Sequence, residues 1–147
     1  MSSVPSVVIA EFMPQHITPA RALWEKSEGV GLSEADESQP LSAFLERNPG
    51  LSLVATQGSA VVGTVLCGHD GRRGLIHHLV VAESHRRQGL GRQLLAGGLS
   101  ALRSAGIQKA HLLVFKSNAS GLAFWRSVGA EERSSIALFS LATQNAG

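Results

Sequence analysis

With 147 residues and 13 basic against 11 acidic side chains, the chain has a formal charge of only +2, too small for nucleic-acid binding through bulk charge. Its 44% hydrophobic and 16% charged content is that of a globular protein, and a single domain over residues 1–147 accounts for the length. No apolar run reaches the roughly 18 residues of a membrane span; the N-terminus lacks the pattern of a signal peptide; and Cys67, the one cysteine, excludes an internal disulfide, so a cytoplasmic protein fits.

In chain order, residues 7–12 alternate weakly and read as a first strand. Thr18-Pro19 reads as an N-cap followed by proline at the first helical position, opening a helix to about residue 27. Residues 40–48 carry Leu41, Phe44 and Leu45 at i, i+3 and i+4, which predicts a short amphipathic helix ended by Pro49. Two β-rich runs, 51–56 and 60–68, flank Gln57-Gly58-Ser59 and predict a hairpin. Asp70-Gly71 is a two-residue turn signal that predicts a second hairpin, to a strand at 75–81. The longest helix is expected over 88–106, with Leu90, Leu94, Leu95, Leu99 and Leu102 as its buried stripe. Gly97, Gly98 and Ala101 would let its backbone lie close to a sheet. A strand at 111–115, a helix at 118–128 stopped by Gly129 and a closing strand at 136–141 complete an α/β domain on a mixed, mostly antiparallel sheet.

The chemistry concentrates where the strand at 75–81 meets the longest helix. Leu79, Val80 and Val81 lead into Arg86, Arg87, Gln88, Gly89, Leu90, Gly91 and Arg92, a basic glycine-rich turn at a helix mouth. Glycines there let a ligand approach the backbone, and the unpaired N–H groups of a first helical turn favour an anion. The arginines add full charge, so a phosphorylated cofactor is expected. A dinucleotide fingerprint would need a third glycine where Leu94 stands, and the P-loop lysine motif is absent.

Arg86-x-x-Gly89-x-Gly91 resembles the pyrophosphate motif R/Q-x-x-G-x-G/A of the GNAT N-acetyltransferases, and the order of elements is similar along nearly the whole chain. The resemblance implies an α/β (α+β) acyl-CoA N-acyltransferase fold, with six to seven strands and about four helices. It implies acetyl-CoA as co-substrate and acetyl transfer to a primary amine in a ternary complex, the acceptor being a small molecule or a protein N-terminus or lysine. By the same resemblance Leu79, Val80 and Val81 hold the thioester and pantetheine arm, and Arg86 to Gly91 wrap the pyrophosphate, with Arg86 in the position that often props the loop. Asn118 matches a family asparagine near the pantetheine, and is equally a helix N-cap by residue type.

The chain departs from the family pattern at two places. Trp125 occupies the position of the family's tyrosine acid, and an indole N–H does not act as an acid. Leu113 stands where some members carry a glutamate base. His77 and His78 are then the candidate bases, one expected to face the cofactor cleft and the other the helix layer, with His111 a weaker candidate. On the acceptor side, Trp24 is a candidate apolar or cation–π wall, and Glu28 and Asp36 lead an acidic stretch suited to a cationic amine. No residue spacing suggests a metal site, and Cys67 has no activating neighbour in sequence. The brief C-terminal end points either to an open cleft or to one completed by a second subunit, as in a homodimer. The alternative reading is a non-catalytic acyl-CoA-binding module, sensing or regulatory.

Overall fold

The computed structural model describes residues 4–145, which divide into two compact units with the boundary between Phe115 and Lys116. In the first unit β1 (Val7–Glu11), β2 (Leu53–Gln57), β3 (Ala60–His69), β4 (Gly74–Val81) and β5 (Ala110–Leu112) form one sheet in the order β1-β2-β3-β4-β5. The first three pairings are antiparallel and β4–β5 is parallel. A parallel pair needs a long crossover, and here it contains α3 (Leu90–Ser104).

Helices α1 (Ile17–Glu25) and α2 (Ser38–Arg47) cover one sheet face, where Leu23, Trp24, Leu41 and Leu45 pack with Val54, Leu66 and Val80. Burying each such side chain is worth roughly 1.5–3 kcal/mol, which fixes these short helices where propensity alone would not. Both carry proline in the first turn, Pro19 and Pro40, where a missing N–H removes no helical bond. Thr18 lies inside α1 and His16 takes the N-cap position.

α3 covers the other face through Leu90, Leu94, Leu95 and Leu102, while the expected fifth member of the stripe, Leu99, is 38% exposed. Its close approach depends on missing side chains: a Cβ on Gly98 would lie 2.7 Å from Cys67 Sγ, and one on Gly97 2.5 Å from Leu53 Cδ1. Gly58 turns the β2–β3 hairpin at φ +62°. The β3–β4 link is longer than a two-residue turn, spanning 70–73, because the Asp70 carboxylate collects the N–H groups of Arg72 and Arg73.

The second unit holds α4 (Ala119–Ser127), stopped at Gly129 with φ +90°. The expected closing strand at 136–141 is not formed. Those residues are irregular and Ile136, Leu138, Phe139 and Leu141 are exposed, since a strand needs a hydrogen-bonded neighbour and this segment has none among the described residues. Among the described residues the sheet therefore has five strands, not six to seven, and the α-helices number four as expected.

Candidate active site

The site is built on an irregularity in β4. Thr64 pairs with Val80 and Leu66 with His77, so one residue of β3 opposes two of β4, His78 and Leu79. His78 takes φ +47°, uncommon for a side chain with a Cβ. The bulge has a direct consequence for the two histidines. His77 meets Phe44 of α2 edge-on and His78 lies against Trp24 of α1, ring centroids 4.6 Å apart. Both therefore face the α1–α2 side, which corrects the expectation that regular alternation would part them.

Hydrogen bonds hold the bulge. Trp24 Nε1 donates to Thr64 Oγ1 at 2.9 Å, and Thr64 Oγ1 donates to the His78 carbonyl at 2.7 Å. Trp24 is 1% exposed and Thr64 fully buried. The expected role of Trp24 as an acceptor-facing wall is thus corrected: its indole is core and backs His78.

The His78 ring is fixed from the other end by Asp36, with Nε2 and Oδ1 2.6 Å apart and side chains only 15% and 13% exposed. Asp36 ends a single 3₁₀ turn, Glu34–Asp36, and its second oxygen accepts from the Ser33 N–H at 2.9 Å. In the neutral ring, a carboxylate against Nε2 favours the hydrogen on that nitrogen and leaves the lone pair on Nδ1. Nothing in the spacing of positions 36 and 78 announces this pair, which needs the bulge. Thr64 did carry a signal, a hydroxyl in the apolar run from Val61 to Cys67, where a buried polar group demands a partner. His77 is different: burial first, then the neighbouring His78, push its pKa down, so it is neutral at neutral pH.

β5 pairs with β4 only as far as Ile76, which leaves the rest of β4 with an open edge. The Ala82 N–H bonds the Val62 carbonyl on β3, so the polar groups of Val81, one residue earlier, point to that open edge. The Val81 carbonyl accepts from Arg86 Nε at 3.1 Å, so Arg86 braces the turn. His85 ties the same turn to the β2–β3 hairpin, its Nε2 2.8 Å from Gln57 Oε1.

The turn then passes through two left-handed residues, Arg87 at φ +65° and Gly89 at φ +77°, the latter capping α3. A Cβ on Gly89 would meet no protein atom within 4 Å, so the space beside it is open. The N–H groups of Leu90 and Gly91 have no carbonyl within the helix to bind. Open space, first-turn donors and the exposed Arg87, Gln88 and Arg92 suit a pyrophosphate.

In the second unit Asn118 caps α4, its Oδ1 accepting from the Gly121 N–H at 3.0 Å. Trp125 is half-buried with its ring edge-on to Phe124, centroids 5.3 Å apart. In the first unit Glu28 is exposed in the α1–α2 link, and Leu113 is 69% exposed. Cys67 is buried with its thiol pushed up to about 12 by desolvation, so it is no nucleophile at neutral pH. No metal-binding cluster exists among the described residues, and none of their helices is long and apolar enough to cross a membrane.

Residues 18–130 match the acetyltransferase (GNAT) family. An acetyltransferase of Pectobacterium atrosepticum is 31% identical over 96 residues, covering 65% of this chain and 67% of that protein. One from Sodalis glossinidius is 28% identical over 116 residues, 79% of this chain and 81% of that one. Among solved structures, the PaiA N-acetyltransferase of Thermoplasma acidophilum in complex with coenzyme A superposes with a TM-score of 0.71 at 18% identity, covering 84% of this chain and 89% of that one.

Proposed function

The chain belongs to the acetyltransferase (GNAT) family, and from that premise we propose that His78, oriented by Asp36, takes the proton from an acceptor amine as it attacks acetyl-CoA. The enzyme moves the acetyl group of acetyl-CoA to a primary amine. The observation that carries the base assignment is the 2.6 Å contact between His78 Nε2 and Asp36 Oδ1 on the bulge.

In this reading the pyrophosphate lies against the turn from Arg86 to Gly91, Arg87 and Arg92 supply charge, and Arg86 keeps its bracing bond. The thioester arm follows the open edge of β4 along Leu79, Val80 and Val81. The amine nitrogen bonds the acetyl carbon and its proton passes to His78 Nδ1. The Val81 N–H stabilises the developing oxyanion. The C–S bond then breaks and coenzyme A leaves as a thiolate, whose reference pKa of about 8.5 makes it an adequate leaving group without an acid at Trp125. Holding amine and thioester together supplies effective molarities of roughly 10⁵–10⁸ M, and the base adds about 10²–10⁴-fold.

We further assign Asn118 to the pantetheine arm alongside its capping bond, and Glu28 to the acceptor side, as their family positions suggest. Residues 1–147 act as one domain in this proposal, supported by a family match that runs across both compact units. A cytoplasmic setting fits the single, buried thiol, and a homodimer would cover the exposed apolar side chains of residues 136–141.

Thiol release from acetyl-CoA over a panel of amines tests the proposal. His78→Gln is expected to lower kcat by about 10²–10⁴-fold with the acetyl-CoA KM unchanged, and Asp36→Asn by about 10–100-fold. A wild-type rate in His78→Gln would remove the base assignment. Absence of thiol release with every amine would favour the non-catalytic acyl-CoA-binding module.

A further inference from the structure

On the α2 side of the sheet, apart from the turn at 86–91, a cavity of about 530 Å³ opens beside β4. That is within the range of small-molecule sites, roughly 300–1,000 Å³. Its wall is basic. Arg47 at the end of α2 and Arg72 and Arg73 of the β3–β4 link contribute permanent charges, and His111 of β5 lies among them. Asp70 is the only carboxylate in the lining, and the N–H groups of Arg72 and Arg73 and the Arg72 guanidinium, 3.5 Å away, already satisfy it. Three arginines against one carboxylate put here a surplus as large as the +2 of the whole chain. The Arg47 guanidinium has neither hydrogen bond nor ion pair among the described residues. Like charges gathered on a concave wall repel one another and focus a positive potential into the cleft, and guanidinium groups bind carboxylate and phosphate in a fork geometry. Phe44 supplies an apolar surface in the same cavity.

The cavity also reaches the reacting strand. His77 lines it, and His77 is the residue before His78. From Gly74, at the other end of the lining, to His78 is four residues of β4, about 13 Å at the usual strand rise. A molecule whose amine sits at His78 can therefore lay a distant group among the arginines.

We propose that this cavity holds the anionic end of the acceptor, so that the acceptor class is an amine bearing a carboxylate or phosphate several bonds from its nitrogen. The proposal rests on acetyl transfer at His78 for the amine end, but the anion site stands by itself and is tested separately. It adds an anionic end to the cationic amine expected from the acidic α1–α2 link, where Asp36 is already engaged by His78.

The probe is glutarate, which has two carboxylates and no amine, titrated into the full-length protein and followed by backbone amide shifts. Saturable shifts are expected over residues 68–74 and at His111, retained in Gly89→Glu and weakened about tenfold or more in the combined Arg47→Gln, Arg72→Gln and Arg73→Gln variant. All three positions are exposed, and an unaltered amide spectrum elsewhere shows that the variant is folded. Shifts confined to the turn at 86–91, absence of saturation or wild-type affinity in the triple variant would overturn the site. The acceptor class is read from KM for ω-amino carboxylates against amino alcohols of equal length. A lower KM for the carboxylates that vanishes in the triple variant supports it, and equal KM values in the wild type overturn it. Glutarate binding without any amine turnover would leave the anion site standing while removing the transfer reading.

Discussion

Thr64 is the residue through which core and site are joined. Its hydroxyl accepts from the Trp24 indole and donates to the His78 carbonyl, so one buried atom ties α1, β3 and the bulge of β4. Thr64→Val keeps the shape and leaves a donor and an acceptor unpaired. The expected cost is about 1–3 kcal/mol, read from the urea midpoint, with kcat falling and KM little changed, because the main-chain bulge that aims the His78 ring is no longer held. His77 gives a pH dependence of known sign. Its pKa is lower in the folded chain than in the unfolded one, so its contribution is complete above the ordinary histidine value of about 6.5 and is lost as pH falls towards the lowered value. Urea midpoints between pH 7.5 and 5 should therefore fall less steeply in His77→Gln than in the wild type; equal slopes would contradict the assignment. The candidate bases were legible as a histidine pair in the sequence. Their shared orientation was not, because it depends on one unpaired residue of register.

At the scale of elements, α3 shows which side of two opposing effects wins. Gly98→Ala should gain about 1 kcal/mol of helix propensity. The added Cβ would stand 2.7 Å from the Sγ of a fully buried Cys67, and overpacking of that kind costs about 1–3 kcal/mol. The net expectation in thermal or urea unfolding is destabilisation of about 1 kcal/mol, relieved when Cys67→Ala is added. Stabilisation by Gly98→Ala alone would show that the helix has room to move. The leucine stripe and small residues of α3 were readable because a 3.6-residue period leaves a strong pattern. The segment at 136–141 misled because its composition suits a strand, while strand formation depends on a partner edge that composition does not encode. Helix starts also slipped, at Thr18 and Gln88, since a cap is a conformation and several neighbouring residues can supply it.

For the molecule as a whole, the order of elements and the turn from Arg86 to Gly91 were enough to point to the fold and the cofactor. Gly89 meets two demands of that turn at once: it holds φ +77°, and a Cβ there would meet no protein atom within 4 Å. The acidic residues that stand out in the sequence divide by environment, Asp36 bound to His78 and Glu28 exposed, a division that residue type alone does not encode. Calorimetric titration with acetyl-CoA, set beside ATP and NAD and repeated on Gly89→Glu, tests the cofactor site most directly. Saturable acetyl-CoA binding by the wild type, silence with ATP and NAD, and loss of binding in a folded Gly89→Glu protein are the expected results. Undiminished acetyl-CoA affinity in Gly89→Glu would contradict the account, because the cofactor would then lie away from this turn.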